Sequence, residues 1–371
     1  SLGIEYHLNL DFKNAVVHYR NAIGLDSTFT AAKASLGNIL YEKFDPEEGK
    51  IWLDEAMSSI DNLTDREKYS ILAFYASQVN KDLEKSIEYS MIMIELYPDN
   101  VIARNNLGWY FRNQGHYEKS VTEYKKAIQL DPYTMLPYAG LLWNYCAHLG
   151  QFDSAMFWTR KMLTYGPENP WAYFYLGVVN FAMDELEKAR EAFEKVRELS
   201  PGIIVNLYNL AHTYRTLEKH ELAIHVLKEI IAINPEESDA YYYQGISCEL
   251  MGADETAIAN YQKSLSMTEY QESENPHNPV TLMTKGTVLS RLGRKEEGME
   301  VGKMGFEMDT AYHYSYAQVL AIQQYTEDAL HHLEIALENG YMDLCWIKMD
   351  PDLSSLQNDE RFLRLLERYF K

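Results

Sequence analysis

A chain of 371 residues exceeds the usual size of a single hydrophobic core, so it holds several domains or an array of repeats. Its 34 basic and 55 acidic residues give a formal charge of −21, which argues against nucleic-acid binding and against anionic membrane surfaces. Three separated cysteines, Cys146, Cys248 and Cys345, make neither a disulfide framework nor a metal cluster, and no apolar run is long enough to span a bilayer as a helix. Tyrosine is abundant, 29 against 13 Phe and 6 Trp, and rings with a polar tip suit half-wet surfaces and grooves.

Taken in order, the apolar periodicities fall into helical pairs. The first pair, to about Ser27, carries Leu2, Gly3, Tyr6, Ala15, Tyr19 and Ala22. Leu36–Gly37 follow Leu2–Gly3 by 34 residues, and Gly49, Leu53 and Ala56 mark a second helix that Asp45–Pro46 should start. The third pair opens at Thr64–Asp65–Arg66–Glu67, a capping sequence, and closes at Pro98. The fourth, Asn100 to Pro132, is the best formed. Leu107, Gly108 and Phe111 mark its first helix, a turn lies at Asn113–Gly115, and Ser120, Tyr124 and Ala127 mark its second.

The fifth pair, Tyr133 to Pro167, contains one extra residue. The sixth (Gly177, Ala189, Phe193, Pro201) and seventh (Leu210, Ala211, Tyr214, Ala223, Leu227, Pro235) keep the interval. The eighth has Gly245, Ala257 and Tyr261, and then Gly245 to Gly286 spans 41 residues. The polar stretch 268–280 is therefore expected as an inserted loop on one rim. The ninth pair is rich in glycine (Gly286, Gly298, Gly302, Gly305), and the tenth has Ala317, Leu320, Ala329, Leu333 and Ala336. Gly340–Tyr341–Met342–Asp343 should end a helix. Asp350–Pro351–Asp352–Leu353 and an amphipathic run from Asp359 then read as a turn and a final helix over the last pair.

The marks have a physical basis. Two helices that cross closely need a small residue at the crossing, as Gly108 with Ser120 and Gly177 with Ala189 would supply, since overpacking there costs about 1–3 kcal/mol. Tyr19, Tyr124, Phe193 and Tyr261 would fill the space between neighbouring units. One pair cannot bury its own apolar face, so stability must come from nearest-neighbour interfaces.

Units of 34 residues with these residues in register resemble the tetratricopeptide repeat (TPR). The resemblance covers most of the chain. It implies an all-α, right-handed α-solenoid superhelix of about ten helical hairpins with a C-terminal capping helix. Repeats one to eight would occupy 1–267 with a truncated first helix. A polar loop would follow over 268–280, repeats nine and ten over 281–339, and the cap over 340–371. Leu2–Gly3 stand where Leu107–Gly108 stand, so the chain is expected to be a piece of a longer protein. Leu63–Tyr69 with Tyr97–Pro98–Asp99, and Asp350–Leu353 with Asp359–Phe362, look like TPR regions attached to bacterial kinases, nucleotide cyclases and winged-helix regulators.

The resemblance places first helices on a concave face, with inward positions at i, i+4 and i+7. These are Asn105, Trp109 and Arg112 in repeat four, Trp143 in five, and Phe174 with Trp171 nearby in six. Repeat seven gives Tyr208, His212 and Arg215, and repeat eight Tyr242. Aromatics and arginine carry most of the energy at interfaces, so this row is the candidate partner site, although part of it could pack against adjacent repeats. The carboxylate clamp for chaperone C-termini is absent: Leu72 and Val178 stand where asparagine is required. No catalytic motif occurs. His331–His332, His220/His225 and Gly298-x3-Gly302–Lys303 fail as metal or phosphate sites by spacing, so no cofactor or metal is expected.

The expectation is a non-enzymatic scaffold that binds a protein or peptide segment in an aromatic-lined groove, as part of a larger bacterial signalling protein in the cytoplasm. A periplasmic place is the alternative if an upstream signal has been removed. Two other readings stay open: a ligand- or peptide-sensing domain that controls an attached DNA-binding or catalytic domain, and an envelope scaffold that oligomerises. No nucleic-acid partner and no membrane insertion are expected, and homo-oligomerisation is open.

Overall fold

The computed structural model describes residues 2–3, 12–341 and 344–369. Tyr6, Met342 and Asp343 lie outside the described residues. The described residues form helices and short connections with no strand among them. No helix among them is long and apolar enough to cross a membrane.

After α1 (Phe12–Leu25), the helices pair as hairpins: α2 (Thr30–Lys43) with α3 (Pro46–Ser58), α4 (Asp65–Gln78) with α5 (Leu83–Leu96), and α6 (Val101–Asn113) with α7 (Tyr117–Leu130). Next come α8 (Leu136–Trp143), α9 (Phe152–Tyr165), and the pair α10 (Pro170–Ala182) with α11 (Leu186–Leu199). The later pairs are α12 (Ile204–Thr216) with α13 (His220–Ile233), α14 (Ser238–Leu250) with α15 (Asp254–Glu274), α16 (Pro279–Arg291) with α17 (Lys295–Met308), and α18 (His313–Ile322) with α19 (Thr326–Glu338). The tail adds α20 (Leu344–Met349) and α21 (Glu360–Tyr369). The chain divides into two compact units, residues 1–141 and 142–371.

Helix starts follow local chemistry. Thr64 and Glu67 make a reciprocal capping box at α4, and Asp45 accepts from the N–H groups of Glu47 and Glu48 with Pro46 at the first turn of α3. The α2–α3 turn at Phe44–Asp45 keeps negative φ, but each later hairpin turn holds one residue in the left-handed region. These are Lys81, Gly115, Gly150, Asp184, Glu218, Gly252, Gly293 and Gln324, so the turn recurs at 34 or 35 residues as far as Gly252 and at 41 and 31 residues after it.

Hairpin crossings are set by glycine against an aromatic ring. A Cβ on Gly108 would lie 2.9 Å from the Tyr124 ring, one on Gly177 2.4 Å from Phe193, and one on Gly245 2.4 Å from Tyr261. The Tyr124 ring also fills the space in front of Gly140, at 2.2 Å, so one ring joins two repeats. Ser120 Oγ donates to the Gly108 carbonyl at 2.5 Å. Between α16 and α17 the contact is backbone on backbone: a Gly286 Cβ would lie 2.9 Å from the Gly302 Cα and from the Gly298 carbonyl oxygen. The glycine-rich ninth repeat is thus a tight crossing.

Two departures from the interval have distinct causes. The extra residue of repeat five is absorbed as a π-helical turn over Asn144–His148, where Leu149 N–H reaches back to the Asn144 carbonyl at 3.0 Å. The polar stretch from 268 is not a loop over its whole length. It continues α15 as helix to Glu274, and only Asn275–Asn278 connects to α16. Neighbouring repeats hold the extension: Gln271 Nε2 donates to the Glu236 carbonyl at 3.2 Å, and Lys285 pairs with Glu272 at 2.6 Å.

Candidate functional site

In the first unit the candidate row lies on α6. Asn105 is buried and donates through Nδ2 to Asn106 at 3.3 Å. Trp109 is half-buried and sets its ring edge-on to Tyr110, with centroids 5.4 Å apart. Arg112 is half-buried, and its charge partly offsets the burial that pushes the Tyr124 phenol up.

In the second unit the candidates separate into open and covered ones. Trp143 is 49% exposed. Trp171 is half-buried, edge-on to Phe174. Phe174 itself is core, packed against Phe193 with Leu207, Leu210 and Ala211 in the same cluster. Repeat packing therefore takes Phe174, whose ring lies 6.1 Å from the Phe193 ring that fills the crossing at Gly177.

His212, Arg215 and Tyr242 are also buried, for a reason the sequence did not reveal: the chain's own tail lies on them. The Trp346 ring of α20 sits 4.7 Å from His212 and edge-on to Tyr243 at 6.1 Å, and α20 packs against α10. Past α20 the backbone turns at Asp350–Pro351–Asp352. Asp350 accepts from Tyr314 Oη at 2.5 Å and from Gln318 Nε2 at 2.8 Å. Asp352 accepts from Tyr242 Oη at 2.5 Å and from Arg291 Nη2 at 2.8 Å, and the same Arg291 nitrogen donates to the Pro351 carbonyl at 2.9 Å. Ser355 Oγ then bonds the Ala321 carbonyl at 2.8 Å. The partners come from α10, α12, α14, α16 and α18. The tail thus crosses the first helices of five consecutive repeats.

Helix α21 lies on a different surface. Phe362, Leu365 and Leu366 of α21 are buried in one cluster with Leu333, Ala336 and Leu337 of α19. Arg368 pairs with Glu334 at 2.8 Å, and Arg361 pairs with Glu327.

The covered strip has unusual electrostatics. Burial, together with the nearby Asp352 charge, pushes the Asp350 carboxyl up to about 7, even though three hydrogen bonds favour its ionised form. Burial holds His212 well below its usual value, so the ring is neutral. Arg215 Nη2 lies 2.6 Å from His212 Nδ1, and a guanidinium can only donate, so Nδ1 accepts and the ring proton sits on Nε2. Arg215 also lies 5.3 Å from the Tyr243 ring centre. Tyr208 Oη bonds Glu237 at 3.1 Å. Among the described residues no cluster of three or more His, Cys, Asp or Glu side chains could hold a metal ion.

Sequence reasoning missed Tyr243, Arg291, Tyr314 and Gln318. Tyr243 and Arg291 fall off the i, i+4, i+7 spacing that defines the row, and the Pro351 carbonyl that Arg291 bonds lies 60 residues away in sequence.

Residues 101–134 and 208–273 match tetratricopeptide repeat models, and residues 148–230 match the model described as anaphase-promoting complex, cyclosome, subunit 3. The BBSome complex member BBS4 of Bos taurus is 23% identical over 218 residues, 58% of this chain and 41% of that protein. The human cell division cycle protein 16 homolog is 26% identical over 174 residues, 43% of this chain and 27% of that protein. The chain therefore spans less than half the length of these relatives. The crystal structure of yeast Tom70 is similar in fold, with a TM-score of 0.54 and 13% identity over 99% of this chain and 91% of that one. With paired helices at a recurrent 34-residue interval and repeat models matched in both units, the chain is a tetratricopeptide-repeat protein.

Proposed function

We propose that the chain is a protein-interaction scaffold whose first-helix face takes an extended protein segment. One observation carries this reading. In the second unit that face already holds such a segment, residues 346–355, by one aromatic ring, two carboxylates and backbone carbonyl contacts. A face that bonds its own tail through side chains and backbone in this way has the chemistry to bond a partner's segment. Trp109 in the first unit and Trp143 in the second, neither of them packed into the core, are each an open anchor on the first-helix face of their own unit.

The finer reading follows from the sequence. The likeness of Leu63–Tyr69 and Asp350–Phe362 to repeat regions of bacterial signalling proteins supports a place beside a signalling domain in the cytoplasm. There the tail and a partner would compete for one strip. The relatives named for the BBSome and the cell division cycle support assembly work in general terms.

Selection of a displayed random peptide library against the chain tests the reading. Binders should lose about tenfold in affinity, ~1.4 kcal/mol, with Trp143→Ala or Trp109→Ala while helicity is kept. Binders indifferent to both substitutions would remove the proposed face.

A further inference from the structure

A cavity of about 490 Å³ lies beside the tail, and its walls include Asp239, Tyr242, Tyr243, Tyr314, Tyr341 and Trp346. No lysine, arginine or histidine lines it. Tyr341 stacks on Tyr314 with centroids 4.2 Å apart, and Tyr243 meets Trp346 edge-on at 6.1 Å. The second acid in the wall, Asp352, is already held by Tyr242 and Arg291. Asp239 is not: no hydrogen bond or ion pair holds its carboxylate among the described residues.

We propose that this cavity is a binding site for an alkylammonium group, with Asp239 as counter-ion and the tyrosine and tryptophan rings as its walls. A carboxylate set among rings without a counter-charge costs free energy that an incoming cation would recover. Aromatic faces add attraction for a cation within about 6 Å of their centres. The titration of Asp239 agrees: burial, with Glu237 and Asp352 nearby, pushes its carboxyl up to about 6. A neighbouring cavity of about 340 Å³ shares Asp239, Tyr243, Tyr341 and Trp346 but is also lined by His212 and Arg215, so a cation is favoured on the other side. The site needs the tail in place, because Tyr341 and Trp346 are two of its walls. It therefore stands or falls separately from the competition between tail and partner.

Calorimetric titration of the full chain at pH 7.5 with n-butylammonium chloride and with n-butanol tests the site. Butylammonium should bind at least tenfold more tightly than butanol, and Asp239→Asn should remove that preference while leaving helicity and melting unchanged. A blocked Gly-Gly-Lys-Gly-Gly peptide and its norleucine counterpart identify the source. A lysine peptide that binds more tightly than butylammonium assigns the cation to a protein side chain, and the reverse assigns it to a free amine; either supports the site. Equal binding of butylammonium and butanol, no binding of either, or an unchanged preference in Asp239→Asn overturns it.

Discussion

Gly108 and Tyr124 set the repeat through a contact that leaves no room for a methyl group, and Gly177 with Phe193 and Gly245 with Tyr261 repeat it. The residues were legible in the sequence because glycine and ring recur in register, but the sequence suggests Ser120 and Ala189 as the crossing partners and the rings as fillers between units, whereas the rings also lie against the glycines. The left-handed turn residues were only half legible. Gly115, Gly150, Gly252 and Gly293 announce their turns, whereas Lys81, Asp184, Glu218 and Gln324 take the same conformation without a glycine to mark it. Position in the repeat overrides residue preference there. Nothing lies within 4 Å of a Cβ placed on Gly115, so only its φ of 75° resists a side chain. Gly115→Ala should cost about 1 kcal/mol, and Glu218→Gly, at an exposed turn with φ 58°, should stabilise by about 0.5–1 kcal/mol. Melting midpoints of the two variants check this, and shifts of the same sign would contradict it.

Among the elements, the tail departs most from what periodicity could say. An amphipathic run from Asp359 suggests a helix against the last hairpin, and α21 lies on α19. Nothing in the local pattern of residues 344–356 reveals that they cross the first helices, because their partners are scattered over repeats six to ten. The polar stretch after 267 misled for the opposite reason: it lacks apolar periodicity, yet Gln271 and Glu272 bond adjacent repeats and keep it helical. Docking of the tail should respond to pH through Asp350. Its carboxyl is raised from 3.8 to about 7 when docked, so the docked tail binds more protons than a free one between about pH 4 and 7. The tail is therefore held most firmly below pH 4–5 and loosens as pH rises through 7. Hydrogen exchange of 344–356, corrected for the intrinsic rate, should show stronger protection at pH 5 than at pH 8, and Asp350→Asn should flatten the dependence. Equal protection at both pH values, or an unaltered dependence in the variant, would contradict it.

At the scale of the molecule, each unit is a series of nearest-neighbour interfaces, so one repeat can be altered without unfolding the rest. That property lets the first-helix face vary. In the second unit, Phe174 has become core, while His212, Arg215, Tyr242 and Arg291 serve the tail. A tethered tail competes at an effective concentration on the order of millimolar, so a free segment can win only where the tail is weakened or the segment binds more tightly. The most direct measurement is fluorescence anisotropy of a labelled peptide carrying residues 344–357. It would be titrated with the full chain and with the Trp346→Ala/Asp352→Asn variant, which alters the tail and leaves the face intact. The account predicts at least tenfold tighter binding to the variant, with helicity and melting of the repeats retained. Equal affinity for the two proteins, or no binding to a variant that remains folded, would contradict it.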